Sequence, residues 1–104
     1  MINPDALDAL LARYQEVLTA MSQPDVASDP SQLASLGREM SGLEPAVKAA
    51  RLWRELDEEV KGLREMVEAE EGEMAELAAM ELEEVEERLA AAEKELEEEL
   101  VPKD

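Results

Sequence analysis

The chain has 104 residues, 28 of them acidic and 10 basic, for a net charge of −18; 45% are apolar, and there is no cysteine and no histidine. One small core is the most that this length can bury, and the charge excludes bare nucleic acid as the main ligand, because phosphate binding rests on Lys and Arg. Disulfides, thiolate metal sites and thiol or imidazole catalysis are excluded outright. With only Tyr14 and Trp53 aromatic, the core must come from Leu, Val, Met and Ala, the residues of packed helices.

In chain order, Asn3-Pro4-Asp5 reads as a helix start, with a capping oxygen, a preset φ and a carboxylate at the positive dipole end. Leu7, Leu10, Leu11, Tyr14, Val17, Leu18 and Met21 then recur at three- and four-residue steps, predicting a first helix over about 4–22. Gln23 to Ser28 breaks that stripe at Pro24. Asp29-Pro30, with Gln32 three residues after the cap, starts a second helix expected over about 30–70. Its seam runs Leu33, Leu36, Met40, Leu43, Val47 and resumes as Trp53, Leu56, Val60, Leu63, Val67, one residue early for a strict repeat. Pro45 lies near the slip, and its ring meets the carbonyl of Ser41, so a bend near 41–45 is expected, with two separate helices as the alternative. Gly72 offers a left-handed cap. A third helix over about 73–100 follows, carrying Met74, Leu77, Ala78, Leu82, Val85, Leu89, Ala92, Leu96 and Leu100, and stopping at Pro102.

These stripes predict an all-α fold: one domain over 1–104, an elongated antiparallel three-helix bundle or helical hairpin with a long, bent second helix. The first helix is too short to cover the other two, so three layers are expected at one end and a two-helix projection near Gly72. The exposed seams of that projection could pair with a second copy of the chain.

The charge is uneven. Residues from 65 onward hold seventeen acids against three bases, whereas 48 to 64 hold five bases against four acids. Lys48, Arg51, Arg54, Lys61 and Arg64 are therefore candidate partner-docking residues for an anionic surface. The plainer expectation is ordinary pairing along the helix, Arg51 with Glu55, Arg54 with Glu58, Lys61 with Glu65 and Arg64 with Glu68. In the third helix, only Glu84 with Arg88 is a favourable pair in the better orientation, amid like-charge neighbours such as Glu83 and Glu87.

No constellation carries catalysis or a cofactor. The serines fit helix ends and the proline bend, and carboxylate metal centres in bundles need the histidine this chain lacks. Asp57, Glu59, Gly62 and Glu68 fall on calcium-loop positions, but the apolar seam through them demands a helix. Met40, Met66, Met74 and Met80 are dispersed, which favours core or gap filling. No basic segment followed by an apolar stretch opens the chain, no apolar run could cross a bilayer, and acidic lipid would repel it; no membrane and a cytoplasmic setting are expected.

Particular residues resemble a known family. Arg13-Tyr14, Gln23-Pro24-Asp25-Val26 and Ser28-Asp29-Pro30 are similar to the opening of bacterial class I peptide chain release factors. So is Leu43-Glu44-Pro45 followed by Val47 and Arg51, and the exit Leu100-Val101-Pro102-Lys103-Asp104 matches the end of that family's first domain. The absence of Trp after the Asp-Pro turn resembles the UAA/UAG-reading branch. The resemblance implies a non-catalytic, cofactor-free piece of a longer protein, whose Gly-Gly-Gln hydrolysis motif and codon-reading tripeptide lie in later domains. It also implies partners, namely the ribosome at the base of the large-subunit stalk and the class II release-factor GTPase. The alternative reading is a free-standing acidic helical scaffold or chaperone-like coiled coil.

Overall fold

The computed structural model describes residues 1–102; the Lys103-Asp104 part of the exit segment lies outside the described residues. Four helices follow one another, α1 (Pro4–Met21), α2 (Pro24–Ala27), α3 (Pro30–Ala69) and α4 (Glu73–Leu100), with no strand among the described residues. The helix starts are made by the capping chemistry that their sequences announce. Asn3 Oδ1 accepts from the amides of Asp5 at 2.9 Å and Ala6 at 3.4 Å. Asp29 Oδ1 accepts from Ser31 at 3.0 Å and Gln32 at 3.2 Å, while Gln32 Nε2 donates to Asp29 Oδ2 at 2.8 Å. Gln32 thus closes the capping box on the carboxylate instead of the backbone amide.

The segment expected as a plain break is α2. Pro24 opens this single turn, and the amides of Val26 and Ala27 bond back to the Gln23 carbonyl. The fold therefore has one helix more than the stripes predict, because four residues are too few to show a period.

Pro45 does not divide α3, which runs unbroken for 40 residues and overturns the two-helix alternative. Pro45 and Ser41 are both exposed, so the carbonyl left without an amide partner can be hydrated, which limits the penalty of an interior proline.

α3 is the spine on which the other helices lie. Ion and ring contacts pair Asp8 with Arg54, Tyr14 with Arg51 and Arg13 with Glu39, so α1 runs antiparallel along the first half of α3. α4 covers the second half, where Leu56, Val60, Leu63, Val85 and Ala92 form a core of two helices. A second core joins Ile2 of the N-terminal segment, Leu7 of α1, Ala49 and Ala50 of α3 and Leu96 of α4. Trp53 packs against both cores. Three layers thus meet in the middle of the molecule and not at one end, and the particle measures 63 × 31 × 19 Å.

This arrangement explains the slip in the seam of α3. Its apolar stripe turns from the side facing α1 to the side facing α4, and at the turn most of the buried residues are small, with Ala46, Ala49 and Ala50 beside Val47. Alanine lets helix axes approach closely, so the junction is built from residues that no large-apolar pattern would mark.

At the far end α3 stops on Glu70, in extended backbone, whose amide bonds the Met66 carbonyl at 2.9 Å. Gly72 does not cap α3 in the left-handed helical region. It is the N-cap of α4, at φ 64 and ψ −136, a conformation open to glycine and strained for other residues.

Two carboxylates tie this fold to pH. The side chain and then the backbone of Gln32, with the Ser31 amide, hold the Asp29 carboxyl below its ordinary 3.8, and Arg13 holds Glu39 below its ordinary 4.5. A carboxyl whose folded pKa is depressed contributes stability that is present above its unfolded value and lost as pH falls through the folded one. The thermal midpoint is therefore expected to fall below about pH 4. Asp29→Asn, which keeps a capping oxygen, should flatten that acid limb in a pH series of melts while changing little at pH 7.

Candidate functional site

α3 carries the five basic candidates, all exposed, but does not gather them on one face. At 100° per residue their positions wind about 200° around the helix from Lys48 to Arg64. Lys48 lines an open groove with Ser41, Glu44, Pro45, Glu95 and Glu99. Arg51 stacks over the Tyr14 ring at 5.7 Å, and Arg54 Nη2 lies 3.3 Å from Asp8, so both help to seat α1. Lys61 sits 3.0 Å from Asp57 and 3.6 Å from Glu58; the bond to Asp57, then the charges of both acids, raise its pKa. Arg64 reaches across to Glu86 of α4 at 4.0 Å.

The forward pairs expected along α3 are thus replaced by pairs across helices or one turn back. Spacing names the neighbours on a helix, whereas the acids of α1 and α4 come within reach only through tertiary packing. The expected pair of Glu84 with Arg88 does form, at 2.9 Å. A stronger clamp joins α1 to α3, where Arg13 Nε and Nη2 donate to the two oxygens of Glu39 at 2.5 and 2.6 Å. Glu39, then Glu16, push the Arg13 pKa upward. At the junction the Met1 amine pairs with Glu97 and, at 3.6 Å, with Glu93, which seats Ile2 in the core.

Three of the four methionines overturn their expected role as fillers, whereas Met40 is half-buried on α3. Met66, Met74 and Met80 are 41%, 53% and 69% exposed, and Leu77, placed in the seam of α4 by its spacing, is 59% exposed. They flank Gly72 beyond the reach of α1, where two helices offer too few neighbours to cover them.

Asp57, Glu59, Gly62 and Glu68 all lie within α3, so the calcium-loop spacing is helical here, and no group of three or more metal-binding side chains converges among the described residues. No helix among the described residues is long and apolar enough to cross a membrane.

Comparison with known proteins adds identity to geometry. Residues 10–104 match the family model described as PCRF domain. Over 101 residues, 96% of this chain, the sequence is 38% identical to peptide chain release factor 1 of Listeria welshimeri and equally to that of Listeria innocua. Over 100 residues it is 35% identical to peptide chain release factor 1 of a Sulfurovum species. The chain spans 28% of the length of each of these relatives. No solved structure matches it.

Proposed function

This chain belongs to the PCRF domain family, and from that premise we propose that it is the ribosome-docking and positioning domain of a peptide chain release factor acting in translation termination in the cytoplasm. The observation that carries this reading is likeness over 96% of the chain to 28% of release factor 1. A stretch that matches end to end, and covers under a third of its relatives, has the proportions of one module of a larger factor.

The geometry supports a part played by contact. A continuous helix 40 residues long spans roughly 60 Å, enough to hold two surfaces far apart. In this reading the partners are the large-subunit stalk base and the class II release-factor GTPase, and peptide hydrolysis belongs to domains outside this stretch. The docking residues proposed are Lys48, Arg51, Arg54, Lys61 and Arg64, the basic segment of an otherwise acidic surface.

Arg51 and Arg54 also hold α1, so reversing their charge would disturb packing as well as docking. The cleaner test places Lys48→Glu and Lys61→Glu in the complete factor and measures its binding to ribosomes stalled at a stop codon. An affinity about tenfold weaker, close to 1.4 kcal/mol, with an unchanged helical spectrum is expected. Unchanged affinity removes the basic segment as the docking face. If deleting the whole domain also leaves binding and release unaltered, the positioning role falls as well.

A further inference from the structure

The free end of the α3 and α4 hairpin carries a second surface, unrelated to the basic segment. Met66, Met74, Leu77 and Met80 all stand within eight residues of Gly72 and are between 41% and 69% exposed. Met74, Leu77 and Met80 follow one another at three-residue steps, which places each beside the next along α4. The residues around them are mostly acidic: from Glu65 to Glu87 there are eleven glutamates and no lysine or arginine, and Arg64 at the margin is paired with Glu86. The core beneath is already closed by Leu56, Val60, Leu63 and Val85, so these four side chains are not needed to hold the hairpin together.

We propose that this tip is a docking site for a basic amphipathic helix on a partner protein. Methionine is flexible and polarizable and moulds to an irregular apolar ridge, and the surrounding glutamates complement Lys and Arg flanking that ridge. The same charge disfavours the other occupants. A second copy would bring −18 against −18, and nucleic acid or an anionic lipid surface would be repelled. The site does not rest on the ribosomal reading above, and it is tested without ribosomes.

The probe is a short amphipathic Leu/Lys helix peptide, compared with a peptide of identical composition in scrambled order. The 104-residue chain is labelled at its methionine methyl groups and titrated with each. The amphipathic peptide is expected to shift the Met66, Met74 and Met80 signals and leave Met21 and Met40 in place. Replacing Met66, Met74, Leu77 and Met80 together by Gln should weaken binding about tenfold or more with helix content unchanged, since all four are exposed. Equal binding of the scrambled peptide, shifts spread over Met21 and Met40, or loss of the tip signals to a concentration-dependent dimer would each overturn the proposal.

Discussion

Replacing Leu96 by alanine is expected to destabilise the fold by about 3–4 kcal/mol, whereas Leu77→Ala, on the same helix, should change stability by less than about 0.5 kcal/mol. Leu96 is fully buried among Ile2, Leu7, Ala49 and Ala50. It plugs the one place where the N-terminal segment, α1, α3 and α4 all meet, so shortening it leaves a cavity among Ile2, Leu7 and the Trp53 and Leu100 side chains packed against that core. Leu77 is 59% exposed and loses little when shortened. For a chain of this size the first substitution should lower the thermal midpoint by roughly 15–25 °C. Melts followed by circular dichroism, and by the fluorescence of Trp53, the only tryptophan, make the comparison. Equal losses at the two leucines would show that the core is misplaced.

The second large effect has the opposite sign. Gly37, Gly42 and Gly62 lie inside α3, and a Cβ added at any of them would meet no heavy atom within 4 Å. Alanine at each removes the entropy that glycine loses on folding and should stabilise by about 0.5–1 kcal/mol, or roughly 1.5–3 kcal/mol for the three together. Gly72 has equally open surroundings but φ +64, so Gly72→Ala should instead cost about 1–3 kcal/mol through backbone strain. Since space is available at all four sites, the change of sign isolates conformation from packing. Urea titrations of the triple and the single variant would measure it, and a stabilising Gly72→Ala would contradict the turn.

The all-helical architecture was legible because its signals are local. Asn3-Pro4 and Asp29-Pro30 carry their capping chemistry within three residues, and the seam of α4 from Ala78 to Leu96 keeps one period throughout. What stayed hidden is tertiary. Ala46, Ala49 and Ala50 look like neutral helix formers until two helices are seen to cross over them. Ile2, ahead of the first stripe, is buried only because the junction reaches back to it. Arg54 has Glu58 at the favoured spacing, yet pairs with Asp8 of another helix. Leu77 keeps an apolar spacing along α4 but faces water, since the buried seam runs through its neighbour Ala78, 3% exposed, and Leu77 stands one residue around the helix from it. The family was legible from short motifs, whereas the basic segment read as one patch in sequence winds around α3 in space.

All of this depends on α3 being a single continuous spine with α1 and α4 laid along overlapping halves. Small-angle scattering of the dilute chain tests that most directly. The structure has a radius of gyration of 18.8 Å over its Cα atoms, whereas a compact globule of this length would give about 13 Å. A value near 19–20 Å, constant over a concentration series, is the expected result. A value near 13 Å would mean that the spine folds back on itself, and would contradict the account.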